Sequence, residues 1–191
     1  LLRESKDKYR AMFETALVGM ALNDKNGKLL EVNQTYLDII GYNEEEANNL
    51  TFWDLTPRNY KEQESIQLKS LIEKGCYGPY EKEYIHKDGH LVPVLLNGVR
   101  VVGSDNEAYT WSCVQDITDR KKVELREHNR SYVLELIASD ELLPVILQAI
   151  VQGVEEENPS MLCSILVLDE TGKYLLNGAA PSLPIFYINA I

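Results

Sequence analysis

The sequence predicts an α+β fold built on an antiparallel sheet, with short helices gathered between its second and third strands. Three observations predict it. Two short strand-like runs, "VGMALND" and "KLLEV", flank Asn26-Gly27, a dipeptide that favours a hairpin. A group of brief, capped helical stretches follows. Three longer strand-like runs then form a meander joined by polar turns. The strands total five, with the helices expected on one face of the sheet.

Each element has a local cause. Residues 2 to 15 read as a helix whose apolar stripe is Tyr9, Met12, Phe13 and Ala16, at i, i+3, i+4 and i+7. At the end of the second strand, Asn33 can accept the free N–H groups of a helix that starts right after it. That helix, "QTYLDII", is amphipathic through Tyr36, Leu37 and Ile40, and Gly41 suits its left-handed cap. Asn43 to Glu46 is an Asn version of the capping box. Thr51 to Asp54 repeats that pattern, and Pro57 ends a third short helix. A longer helix, "YKEQESIQLKSLIEK", is expected to turn Ile66, Leu68, Leu71 and Ile72 inward and to close at Gly75.

The strands "YEKEYIH" and "LVPVLLNGVRVV" flank Lys87-Asp88-Gly89, a second hairpin turn, and "AYTWSCVQDIT" follows the polar loop "GSDNE". Alternation along that last strand sets Trp111, Cys113 and Gln115 on one face, Ser112 and Val114 on the other.

Thr118 can cap a helix that begins at Asp119 and runs to about Ala138. Its first half is charged and its second half apolar, which marks a connector. The expected layout is an N-terminal helix at 1–17, a first domain at 18–118, a connector at 119–138 and a second unit at 139–191. In the second unit, "ELLPVILQAIVQGVEEE" is a helix with Pro144 in its first turn, and "MLCSILVLD" and "KYLLNGAA" are strands around Glu170-Thr171-Gly172. One helix and two strands cannot bury a core alone, so the unit is expected to be part of an α/β domain.

Composition narrows the function classes. The 191 residues carry a net charge of -11, which repels phosphate backbones and argues against nucleic acid as a partner. The densest basic cluster, Arg120-Lys121-Lys122, sits among Asp119, Glu124 and Glu127 and reads as a solvated helix face. Cys76, Cys113 and Cys163 are far apart and odd in number, which fits a reduced, cytoplasmic compartment. No apolar run reaches the ~20 residues of a membrane span. The first residue is Leu, so the chain is expected to be a segment of a longer protein, one that could carry a membrane anchor elsewhere.

Four motifs in order, "GMALNDKNGKLLEVNQTYLDIIGYNEEE", "FWDLTP", "YIHKDGHLVPV" and "WSCVQDITDRKK", resemble a PAS domain with its C-terminal PAC segment, over about residues 8 to 122. Residues 129 to 191 resemble the start of a GAF domain of the type found in bacterial multidomain sensors, the run Ala-Ala-Pro-Ser-Leu-Pro most of all. The PAS resemblance implies a ligand pocket. Its candidate positions are Met20, Leu22, Asn33, Tyr36, Ile40, Trp53, Leu68, Ile72, Leu95, Val99, Ser112 and Val114. Every one is also a plausible core position, and Asn33 reads best as a helix cap that holds the bend. The resemblance further implies homodimers through the N-terminal and connector helices, an output domain in the same protein, and a relay through Asp116 and Thr118 into the connector.

The resemblance also tests cofactors. Haem-binding relatives take an axial His from the long helix, and this one has none. The Asn-Cys-Arg-Phe motif of photoactive flavin domains is absent near "NNLTFWDLTP", and their sheet Gln falls at Val114, which argues against a cysteinyl-flavin. Non-covalent flavin or a small organic ligand stays open. His86 and His90 flank the Lys-Asp-Gly turn and read as solvated, as does His128 on the connector. No metal spacing and no catalytic motif is present; Glu44-Glu45-Glu46 and Glu155-Glu156-Glu157 read as solvated faces, so an enzyme is not expected. Two readings remain: a sensor that binds a ligand or partner in the PAS domain and drives a histidine kinase or a cyclic-di-GMP cyclase or phosphodiesterase, and a constitutive dimerisation scaffold.

Overall fold

The computed structural model describes residues 2–188; Leu1 and residues 189–191, at the outer ends of the expected first and last units, lie outside the described residues. The chain divides into two compact units, with the boundary between Thr118 and Asp119.

The first unit opens with helix α1 (Leu2–Glu14) and continues through β1 (Gly19–Asn23), β2 (Leu29–Val32), α2 (Gln34–Ile40), α3 (Glu44–Ala47), α4 (Lys61–Lys74), β3 (Cys76–Ile85), β4 (Leu91–Val102) and β5 (Ala108–Asp116). The five strands form one sheet in the order β2-β1-β5-β4-β3, every pair antiparallel. The helix-side core joins Tyr36, Ile40, Ala47 and Leu55 to Ala21, Val94, Leu96 and Val114 of the sheet.

The capping signals act as expected at α2 and α3. Asn33 caps α2 and Gly41 ends it with φ at 75°. Asn43 and Glu46 form a reciprocal capping box. At Thr51–Asp54 the outcome differs. The Asp54 carboxylate accepts from both the N–H and the hydroxyl of Thr51, which closes an isolated turn in place of a third α-helix. Pro57, which lacks the N–H a continuing helix would need, then leads into a 3-10 turn at Arg58–Tyr60. The β1–β2 connection also departs from a bare two-residue turn. Asp24 Oδ1 accepts from Asn26 N and Lys28 N, and the left-handed residue is Gly27, with φ at 87°.

Helix α4 rolls differently from the apolar pattern. Its inner line is Glu64, Leu68 and Leu71, at i, i+4 and i+7, while Ile66 and Ile72 are exposed. A carboxylate thus occupies a buried position that periodicity assigns to an apolar residue.

Strand register fixes the two sheet faces. Met20 pairs with Cys113, Leu22 and Val99 with Trp111, and Leu95 with Gln115. Partners directly across a ladder share a face, so all of these lie opposite the face of Ala21, Leu96, Ser112 and Val114. On their side, Phe13 and Tyr9 of α1 pack their rings on Trp111, with centroids 5.6 and 6.3 Å away.

In the second unit, the body of α5 (Thr118–Ala138) is followed by α6 (Leu143–Glu157), the strand pair β6 (Ile165–Leu168) and β7 (Leu175–Ala179), and α7 (Ile185–Ile188). Gly153 lets α6 approach α5: Asn129 Nδ2 donates to its carbonyl at 3.2 Å, and a Cβ there would meet the Asn129 side chain. The Glu155–Glu157 run is not simply solvated. Glu155 accepts from Cys163 N and Ser182 Oγ, and Glu157 pairs with Arg126.

Candidate functional site

Between α4 and the sheet lies a cavity of about 480 Å³, inside the range of roughly 300–1,000 Å³ that small-molecule sites occupy. The sheet contributes Tyr77, Tyr80, Lys82, Tyr84, Leu96 and Ser112; α4 contributes Glu64, Gln67, Leu68, Leu71 and Ile72. Phe52, Trp53, Tyr36 and the Asp24–Gly27 turn close it further. The lining is rich in aromatic rings, and one end is polar.

That polar end is a buried ion pair. Lys82 Nζ donates to Glu64 Oε1 and, at 2.9 Å, to Thr56 Oγ1; the Tyr80 hydroxyl donates to the same Glu64 oxygen. The Lys82 ammonium also lies 5.0 Å from the Tyr84 ring centre. Burial pushes the Lys82 ammonium down, and the Glu64 charge pulls it back up. Nearby, Tyr77 donates its hydroxyl to Ser112 Oγ at 2.8 Å, and burial holds its pKa up at about 12. Burial likewise raises Tyr36, Tyr80 and Tyr84, so all four phenols are neutral at physiological pH. Among the described residues, no buried side-chain nitrogen or oxygen lacks a partner. The cavity thus offers flat apolar surface and pre-set hydroxyls. No His or Cys lines it, so the wall supplies neither an axial imidazole nor a thiol for flavin attachment.

Of the candidate pocket positions, Tyr36, Trp53, Leu68, Ile72 and Ser112 line the cavity. Met20, Leu22, Leu95 and Val99 do not: they belong to the α1 face of the sheet, one residue out of phase with the cavity face. Asn33, Ile40 and Val114 lie on the helix side but are sealed in the core, each 0% exposed. Sequence periodicity also missed Glu64 and Lys82, because two charged residues on separate elements read as solvated until their pairing is known.

Asn33 is a junction as well as a cap. Its Oδ1 accepts from Tyr36 N and Met20 N, and its Nδ2 donates to Phe13 O and Val18 O, all at 2.8–3.0 Å. One side chain therefore joins α2, β1 and the end of α1. At the other end of the unit, Asp116 Oδ1 accepts from Thr118 N at 2.7 Å, so the first turn of α5 is held by Asp116 rather than by a Thr118 side-chain cap. Ile117 between them is buried and donates its N–H to Pro93 O, which pins the joint to β4.

The PAS-domain family model matches residues 17–119, more than half of the chain, and the protein belongs to that family. Residues of this chain are 31% identical over 122 positions to the hybrid signal transduction protein dokA of Dictyostelium discoideum, covering 63% of this chain and 7% of that protein. They are also 31% identical over 126 positions to the probable diguanylate cyclase DgcE of Escherichia coli, covering 64% of this chain and 11% of that protein. The chain thus spans only a small part of the length of the curated relatives it matches. Among solved structures, the PAS domain of a protein from Colwellia psychrerythraea superposes with a TM-score of 0.55 at 19% identity, over 60% of this chain and 98% of that one. Residues 17–119 are thus a PAS domain, a non-catalytic fold related to parts of larger signalling proteins. Among the described residues no helix is long and apolar enough to cross a membrane.

Proposed function

We propose that the chain is the sensory segment of a signal-transduction protein, and that the cavity takes a small, largely apolar, planar organic molecule. The observation that carries this reading is the path of β5. Thr110 and Ser112 line the cavity, and the same strand ends at Asp116, whose carboxylate holds the first turn of α5. A ligand that favours one setting of that strand shifts the equilibrium of the joint at Asp116 and Thr118. The connector then passes the change to an output domain of the same protein, a histidine kinase or a cyclic-di-GMP enzyme. A PAC-type ending to the PAS domain and a GAF-like start at 129–191 complete this reading. The exposed Leu168, Tyr174, Leu175 and Leu176 on the β6–β7 pair suit a sheet that continues. A cytoplasmic setting fits the free cysteines.

A second reading has its own observation. Met12 and Leu17 are exposed at the end of α1, and Val123, Tyr132, Leu134 and Ile137 are exposed on α5. These helices are the ones through which a constitutive homodimer would form, with no small ligand needed.

Native mass spectrometry and an absorption spectrum of the purified chain separate the two. A retained mass, lost in a Leu68→Trp variant that fills the cavity, supports the sensor. An apo mass that refuses flavins and a panel of aromatic compounds, with the dimer intact, supports the scaffold and ends the sensor reading.

A further inference from the structure

We propose that the β3–β4 hairpin carries a transition-metal site made by His86, Asp88 and His90. The three side chains cross the turn toward one point. Asp88 Oδ1 lies 3.0 Å from His86 Nδ1 and 2.5 Å from His90 Nδ1. One ligand atom from each residue falls within 4.8 Å of the other two. The two imidazole ring centres are 4.3 Å apart with their planes tilted by 30°, so the rings lie side by side at the turn.

Two imidazole nitrogens meet here at one carboxylate oxygen. Each nitrogen–oxygen contact needs a proton on the ring nitrogen, or a single cation in place of both protons. His86 Nδ1 also accepts from Asp88 N at 3.3 Å, a contact in which that nitrogen presents its lone pair to the turn. Two imidazoles and a carboxylate suit zinc, nickel or copper, and do not suit magnesium or calcium. Zinc bonds of about 2.0–2.2 Å place tetrahedral ligand atoms about 3.4 Å apart. Asp88 Oδ1 and each ring nitrogen therefore need to move apart by less than about 1 Å.

The backbone holds the donors ready. Gly89, with φ at 95°, makes the turn, and His86 N donates to His90 O across it. The His86 ring packs where a side chain on Gly41 would stand, which leaves its Nδ1 edge toward Asp88. The adjacent Lys87 ammonium is taken up by Glu46 at 2.7 Å, and Lys87 N donates to Ile40 O. An ion at this point would clamp the two arms of the hairpin tip to each other, beside the end of α2. His90 and Asp88 are exposed, so one or two coordination positions stay open to water, as in an exchangeable rather than a sealed site.

The test is calorimetric titration of zinc chloride into the whole chain carrying no affinity tag, with cobalt absorption as a second readout. The expected result is one ion per chain, weakened on the order of tenfold or more by His90→Ala and by Asp88→Asn. Cys76→Ser and His128→Ala leave it unchanged, and zinc slows hydrogen exchange at the Lys87 amide. His90 and Asp88 are exposed, and circular dichroism checks that their variants are folded. Absence of saturable binding, binding that His90→Ala does not weaken, or one ion per two chains would each overturn the site.

Discussion

Lys82 of β3 and Glu64 of α4 form an ion pair that is almost wholly buried, their side chains 1% and 5% exposed, in the wall of the cavity. Such a pair is costly to break from one side. Removing one charge leaves the other buried and uncompensated, which costs about 3–5 kcal/mol. Lys82→Met alone and Glu64→Leu alone are therefore expected to lose that much in urea unfolding. The double variant is expected to recover most of it, because an apolar pair of similar volume carries no desolvation cost. A double variant as unstable as the two singles combined would refute this account.

Asn33→Ala and Asn33→Asp separate the two jobs of one side chain. Alanine removes four hydrogen bonds and leaves Phe13 O, Val18 O and Met20 N short of a partner, at a cost of about 3 kcal/mol or more. Aspartate keeps both acceptor bonds to Tyr36 N and Met20 N but cannot donate to Phe13 O and Val18 O. It is expected to retain α2 while loosening the α1–β1 link, seen as faster hydrogen exchange and proteolysis at residues 13–18.

The buried phenols set an alkaline limit. Tyr77 titrates at about 12 when folded, against about 10 when unfolded. Between those values the folded state holds the extra proton, so stability falls as pH rises through that window and is fully present below it. Tyr36, Tyr80 and Tyr84 act in the same sense. The lowered Lys82 acts in the opposite sense, but its window closes at the unfolded ammonium value of about 10.4, below most of the phenol window. Ionisation of Tyr36, Tyr77, Tyr80 and Tyr84, followed residue by residue by NMR, is expected to coincide with loss of far-ultraviolet ellipticity above pH 10 or so. Ionisation of these four on an intact fold would contradict it.

Gly98→Ala reports on the cavity from its own side of β4, where Gly98 pairs with Ser112. A Cβ there would come within 2.4 Å of the Tyr77 ring and 2.6 Å of Trp111 O. The ring must move off Ser112, with a loss of about 1–3 kcal/mol. The expected signature is a changed tyrosine ring shift at position 77 and altered ligand uptake at unchanged secondary structure.

The joint at Asp116 gives a local prediction. Asp116→Ala removes the acceptor for Thr118 N and costs about 1 kcal/mol. Amide exchange in the first turn of α5 is expected to quicken while the β4–β5 ladder stays protected.

What sequence reasoning reached, and what it did not, follows from the range of each interaction. Asn33, Gly41 and the Asn43–Glu46 box act within a few residues, so their chemistry was visible in the string. The cavity was only partly visible. Placing Met20, Leu22, Leu95 and Val99 in it while also placing Ser112 and Val114 there breaks the register that pairs Met20 with Cys113 and Val99 with Trp111. Alternation assigns faces relative to a neighbour, and the neighbour is a long-range fact. Glu64 and Lys82 were hidden for the same reason, being 18 positions apart on different elements. The expected burial of Ile66 and Ile72 on α4 failed differently, although Ile72 does reach the cavity rim: helical period was correct, but the buried line begins at a carboxylate that no hydropathy rule selects.

Strand β5 serves two clients with alternate residues. Thr110 and Ser112 answer to the cavity, while Trp111 answers to Tyr9 and Phe13 of α1. Through the middle of the strand, at 110–112, the two sets alternate. On the proposed sensor reading, selection for a new ligand would rewrite one set while leaving the other untouched, so that what such a domain detects and how its first helix is seated would drift along separate evolutionary lines.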